Sequence, residues 1–352
     1  MHNSAGVGSR EEVLGLLNGV RPSRKPCFSG LISVTEPGLT SAGLNFGEVH
    51  TDSTKMTTAA LTSNRLFGFE SAVVPLDLCV EASALGARVD FRADAPRPEF
   101  PMIVEPLASR AADFNSKLEG DVTRYERVAL VLDALRILKE QVGAPNDVPF
   151  VVGAWITGPV TLAMQVLDIR NLTADMAREP DAVGRVLDTL TDLLVQVASA
   201  YRAAGADFIT IHEMGGSPGF VGPPVFKTLI LPRLKRLLAA LSPPRVLSVC
   251  GNTNRAMQLL AECGADALSV DQANDLAHSR EVLGADALLF GNIDPIGTLS
   301  NGDEASVRAA VRGALDAGVD AIWPGCDLWP PVPAANMHAL VDETRKYSRM
   351  AV

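Results

Sequence analysis

From Leu66 onward, short apolar runs alternate with longer stretches of helical periodicity. Several runs follow the same phrase: Gly205-Ala206-Asp207 before 208–211, Gly264-Ala265-Asp266 before 267–270, Gly284-Ala285-Asp286 before 287–290, and Gly318-Val319-Asp320 before 321–323. The phrase reads as a helix C-cap glycine, which enters the left-handed conformation cheaply, then a tight turn and a buried strand. Polar groups wait at the far end of each run: His212-Glu213, Asp271-Gln272, Gly291-Asn292 and Gly325-Cys326. The periodicity between runs predicts helices over 123–142, 181–204, 224–241, 254–262, 276–283, 303–317 and 334–347. Strands are expected near 27–33, 72–78, 149–156, 207–212, 246–250, 267–271, 287–292 and 320–325. Buried strands alternating with helices build a parallel sheet, and eight such units predict a single distorted (β/α)8 barrel. A doubly wound sheet is the alternative, but no G-x-G-x-x-G follows any strand. One domain is expected over 1–352, with an N-terminal helical extension over 1–25 that Ser9 and Glu12 would open as a capping box. The segment to Ser63 reads as loop-rich.

Composition narrows the partners. A net charge of −10, with no clustered Lys and Arg, argues against a nucleic-acid surface. No window approaches the ~18 apolar residues of a membrane span, and the N-terminus lacks the layout of a secretory signal. Five scattered cysteines (Cys27, Cys79, Cys250, Cys263 and Cys326) are no disulfide framework and fit a reducing cytoplasm.

Barrel chemistry sits at the C-terminal ends of the strands. That rule gathers Asp77, Cys79, Thr157, His212, Glu213, Cys250, Asn252, Asp271, Gln272, Asn292, Asp294, Cys326 and Asp327 at one mouth, without a Lys or Arg to clamp a phosphate. Cys250 and Cys326 each fall in a break beside Gly, within Val-Leu-Ser-Val-Cys-Gly-Asn (246–252) and Ile-Trp-Pro-Gly-Cys-Asp-Leu (322–328). They are either two small buried residues or two thiolate ligands for Zn2+ with a position left open for substrate. His212, the one histidine at a strand end, is either a rim histidine or a third ligand from the strand beside that of Cys250. Glu213 should alternate to the opposite face of its strand, unless the Gly215–Gly219 stretch bends it inward. Asp294, held extended before Pro295, suits catalysis or a helix cap. His2, His50, His278 and His338 are given no chemistry.

Four motifs resemble the uroporphyrinogen decarboxylase superfamily over nearly the whole chain. They are Ala84-Leu85-Gly86-Ala87-Arg88-Val89, Thr157-Gly158-Pro159-Val160-Thr161, Gly291-Asn292-Ile293-Asp294-Pro295, and Gly325-Cys326 followed by 330–336. The superfamily implies a distorted (β/α)8 barrel and one of two chemistries. Its decarboxylases carry an N-terminal Arg-Gln-Ala-Gly-Arg motif, whereas Phe28-Ser29-Gly30-Leu31-Ile32 stands here. Asp77 falls where they hold a pyrrole-binding aspartate, and Cys326 where they hold a histidine. The other branch, the methylcobalamin:coenzyme M and chloromethane-type methyltransferases, binds zinc through His-x-Cys and a distant Gly-Cys. Cys250 and Cys326 match those cysteines, but the histidine position is Ser248. The resemblance therefore implies a zinc-dependent methyltransferase; with the motif's histidine replaced, His212 or, failing that, Glu213 is the third ligand expected from the neighbouring strand. Asp77, Glu213 and Asp294 are the candidate catalytic groups, and Asn252, Asp271 and Asn292 the candidate substrate-binding ones. The chain lacks the Asp-x-His-x-x-Gly signature of a cobalamin domain. Methylcobalamin is thus expected on a separate corrinoid-carrying protein, with coenzyme M, homocysteine or tetrahydrofolate as the small-molecule acceptor. The alternatives are a decarboxylase-like lyase using Asp77 and a non-catalytic corrinoid-binding barrel.

Overall fold

Six of the eight expected runs are ladder-forming strands of one parallel sheet. They run side by side in chain order: Ser71–Val74, Val151–Thr157, Phe208–Glu213, Arg245–Val249, Ala267–Val270 and Leu288–Phe290. The computed structural model from which this is read describes residues 9–115, 120–144 and 147–350. The two remaining runs are thinner staves that close the ring. Cys27 bridges Ile322, Phe290 bridges Ala321, Ile293 bridges Pro324, and the Glu70 N–H donates to the Cys27 carbonyl. Pro26 and Pro324 bring no N–H to a ladder, which accounts for staves reduced to single bridges. The expected strand over 27–33 thus survives only at its first residues.

The closed barrel separates two cores. Outward-facing strand residues pack under the helices, while Val151, Phe208, Val246, Ala267, Leu288, Phe290, Ala321 and Trp323 fill the interior with Phe28. The stacked Phe290 and Trp323 rings, 5.1 Å apart, and the edge-on Phe28 form its aromatic floor. Val13, Leu16 and Leu17 of the Ser9–Leu17 helix belong to this interior cluster. The Ser9–Leu17 helix is therefore a plug of the barrel rather than an appendage. Its expected capping box rests on the Ser9 side chain, which lies outside the described residues, and Glu12 pairs instead with Arg24 at 2.5 Å.

The loop-rich expectation before Ser63 is corrected by two helices, Glu36–Ala42 and Ser53–Phe67, capped by the side chains of Thr35 and Asp52. Thr-, Ser- and Asn-rich sequence is indifferent to helix, and packing decides: nine residues of Ser53–Phe67 are buried. Pro159–Val166 and Ile169–Arg178 are further helices that the periodicity did not announce. Among the described residues, no helix is long and apolar enough to cross a membrane.

Candidate metal centre at the barrel mouth

Strand alternation sends His212 and Glu213 to opposite sides. His212 follows Phe208 and Thr210 into the barrel, and its ring meets the edge of Trp155 at 5.9 Å. Its Nε2 lies 4.0 Å from Cys250 Sγ and 3.8 Å from Cys326 Sγ, and the two sulfurs are 2.8 Å apart. Three staves thus deliver one imidazole and two free thiols whose donor atoms lie within 4.8 Å of one another. Gly251, at φ +81, turns the chain directly after Cys250, close under Ser217.

Charge is shared across the triad. Cys250 hydrogen-bonds Cys326, which together with the facing His212 holds the Cys326 thiol well below its ordinary range against the effect of burial. The same bond, then burial, raises Cys250. Burial lowers His212, but Cys326 and Asp327 outweigh it and carry the imidazole up to about 9. Asp327 Oδ2 lies 3.5 Å from His212 Nε2, while Oδ1 accepts the Ile32 N–H at 3.0 Å. Burial pushes this carboxyl up to about 6. Asp327 belongs to the mouth by sequence, but only the structure sets it against His212.

The donor set fits zinc. With Zn–S near 2.3 Å and Zn–N near 2.0–2.1 Å, the sulfur–sulfur and sulfur–nitrogen pairs of a tetrahedral shell stand about 3.5–3.8 Å apart. The two sulfurs would separate by about 1 Å and the imidazole would close by a few tenths of an ångström. Two thiolates and one imidazole leave a fourth position, and Cys250 itself lines a cavity of about 1110 Å3 above the triad. Leu78, Ile103, Met164, Leu167, Met214 and Phe220 supply apolar wall.

The structure does not bring the three candidate catalytic carboxylates to the triad. Asp77 is buried, with Oδ1 and Oδ2 gripped by Arg127 at 2.9 and 2.6 Å and Oδ2 2.9 Å from His50 Nδ1. Burial raises its carboxyl, yet Arg127 and His50 more than reverse that. Neither His50 nor Arg127 could be read as its partner from sequence, since nothing local connects residues so far apart. Glu213 faces outward, where it caps the Pro159–Val166 helix. It accepts Val160 N (3.0 Å), Thr161 N (3.0 Å), Thr161 Oγ1 (2.6 Å) and Gly216 N (2.9 Å). A Cβ at Gly158 would lie 2.3 Å from Glu213 Oε2, so the approach requires glycine. The fallback assignment of Glu213 as a zinc ligand is corrected by this orientation. Asp294 caps its own turn, accepting from Ile296 N and Gly297 N at 2.9 Å each.

Of the candidate substrate-binding groups, Asn252 lines the cavity and accepts from Asn254 N at 3.2 Å. Asp271 and Asn292 tie loops together instead. Asp271 Oδ1 accepts Ala273 N at 2.7 Å, and Asn292 Nδ2 donates to the carbonyls of Asp271 and Asn274.

A closed barrel with a thiol–imidazole triad at its mouth defines the class. Residues 9–347 match the uroporphyrinogen decarboxylase (URO-D) family, and the chain belongs to it. Within that family the chain is similar to methyltransferases. It is 30% identical over 325 residues to the methylcobamide:CoM methyltransferase MtaA of Methanosarcina barkeri, covering 90% of this chain and 92% of the relative. Identity to the methylcobamide:CoM methyltransferase MtbA of Methanosarcina acetivorans is 30% over 324 residues, covering 91% and 92%. A solved methyltransferase from Methanosarcina mazei superposes with a TM-score of 0.89 at 26% identity, covering 96% of this chain and 98% of the other. These relatives bear out the expectation of a methyltransferase in a URO-D-like barrel.

Proposed function

We propose that this barrel moves a methyl group from a methylated corrinoid to a thiol, with coenzyme M as the first candidate acceptor, at a zinc ion held by His212, Cys250 and Cys326. The observation that carries the reading is the convergence of those three donors beneath an apolar cavity. The names of the methylcobamide:CoM relatives support the substrates. Bound zinc supplies the positive charge that deprotonates an incoming thiol and keeps its sulfur nucleophilic. Cys250 and Cys326 would hold the metal as thiolates, moderating its charge, and His212 would complete the protein's share through Nε2. Asp327, whose carboxyl stands beside His212, is the candidate to take the proton that the acceptor thiol gives up. The apolar walls keep water from the reacting atoms. As the new sulfur–carbon bond forms, the cobalt–carbon bond breaks and its electron pair stays with the corrinoid.

The rim supports delivery of the corrinoid on a separate protein. Met102 (60% exposed) and Phe220 (57% exposed), with Val104 and Ile169, present apolar side chains to solvent around the cavity. A reducing cytoplasm would keep the two ligand thiols free.

The test is metal content joined to methyl transfer. The parent is expected to hold about one zinc per chain and to demethylate methylcobalamin when offered coenzyme M, homocysteine and tetrahydrofolate in separate reactions, fastest with coenzyme M. His212→Ala, Cys250→Ser and Cys326→Ser are each expected to lose zinc and transfer together. Full zinc in His212→Ala would overturn the ligand assignment.

A further inference from the structure

The register beneath the triad carries a second observation. Thr157 pairs with His212, His212 with Ser248, and Ser248 with Ser269, so four inward positions form one belt across four neighbouring strands. Val151, Phe208, Val246 and Ala267, which share their parity, lie in the interior cluster. All four belt residues are buried. Thr157 Oγ1, His212 Nδ1, Ser248 Oγ and Ser269 Oγ each lack a protein hydrogen-bond partner. Buried polar groups are almost always paired, and leaving one unmet is costly. Four adjacent ones are the polar surroundings that ordered water requires, each water needing two to four such partners.

We infer that Ser248 is the positioning residue of His212: through one ordered water its hydroxyl accepts from the Nδ1–H and so turns Nε2 toward the metal position. The inference rests on the zinc reading above. A metal-bound histidine almost always donates its other ring N–H, which fixes tautomer and ring angle. Here the carboxylate paired with His212, that of Asp327, stands on the Nε2 side. The register sets a hydroxyl on each side of His212, Thr157 and Ser248, and Ser248 is the one on the strand that runs into Cys250. An alanine would fill this position in an apolar core without the burden of a hydroxyl to satisfy. Ser248 thus occupies the sequence position of the relatives' expected histidine while supporting the histidine that stands next to it.

The experiment is a zinc affinity titration of the full chain against a competing chelator, beside thermal unfolding of the zinc-free form. Ser248→Ala is expected to weaken zinc binding by about 10–100-fold. Its zinc-free form should unfold within about 2 °C of the parent, since only one neutral hydrogen bond is removed. Ser248→Thr, which keeps the hydroxyl, should stay near the parent. Ser269→Ala, one strand further from His212, should shift the affinity less than Ser248→Ala. Unchanged affinity in Ser248→Ala would overturn the inference, as would an equal loss in Ser248→Thr. If His212→Ala, Cys250→Ser and Cys326→Ser lose zinc while Ser248→Ala keeps the parent's affinity, the triad stands and Ser248 alone is misassigned. If the parent binds none, both readings fall.

Discussion

Replacing Glu213 with Gln separates a structural carboxylate from a catalytic one. In the parent, Oε1 takes Thr161 N, Thr161 Oγ1 and Gly216 N, while Oε2 takes Val160 N. A glutamine can keep its carbonyl oxygen toward the three donors at Oε1. Its amide nitrogen then faces the Val160 N–H, donor against donor, in a buried place. One hydrogen bond to a charged acceptor is lost and a backbone N–H is left unmet, which costs about 3 kcal/mol. Losing the negative charge at the start of the Pro159–Val166 helix adds about 1 kcal/mol. With unfolding entropy near 2.1 cal/mol/K per residue over 352 residues, about 4 kcal/mol lowers the unfolding midpoint by about 5 °C. The assay is thermal unfolding of the zinc-loaded variant, with zinc content and methyl transfer measured below the transition. The expected variant is less stable but still holds zinc and still turns over. A parent-like midpoint with transfer abolished would refute the reasoning and return Glu213 to catalysis.

Three further outcomes follow from buried groups. Asp77→Asn leaves the Arg127 guanidinium without its counter-charge in a buried setting and is expected to cost about 3–5 kcal/mol, read by denaturant unfolding. Glu81 is fully buried, and desolvation raises its carboxyl from 4.5 to about 7. A raised acid makes ionisation unfavourable in the folded state, so parent stability falls as pH climbs from the unfolded value to about 7. Glu81→Gln should therefore match the parent below pH 4.5 and exceed it by about 3 kcal/mol above pH 7, checked by unfolding midpoints across that range. Gly30→Ala would set a Cβ 2.0 Å from Thr210 Oγ1 and 2.7 Å from the Trp323 ring, and is expected to yield little folded protein by gel filtration.

The repeating Gly-x-Asp phrase made the barrel legible, because C-cap glycine and strand onset are both local events. The long helices expected over 123–142 and 181–204 were equally plain, being periodic over several turns. The Thr- and Ser-rich helix at Ser53–Phe67 left no such trace, since packing holds it rather than propensity. For the site, the position rule put His212, Cys250 and Cys326 at one mouth, and the structure brings all three within reach of a single ion. The rule could not say which mouth carboxylates were already occupied. Asp77 answers to Arg127 and His50, Glu213 to a helix terminus, and Asp294 to its own turn. Each of those partnerships is set by three-dimensional proximity or by turn geometry, neither of which a residue type discloses.

The pairing of His212 with Ser248 across two hydrogen-bonded strands bears on how such centres are catalogued. A signature written along one strand records only the lengthwise projection of an arrangement that also runs sideways through the sheet. Because neighbouring staves hold level positions side by side, a donor can migrate one stave over and keep its height on the barrel axis. The backbone need not change to accommodate the move. On the zinc reading proposed above, a search that reads strands singly would score such a chain as defective, while one that reads rows would find the set complete. In parallel barrels, the grammar of a metal site is two-dimensional.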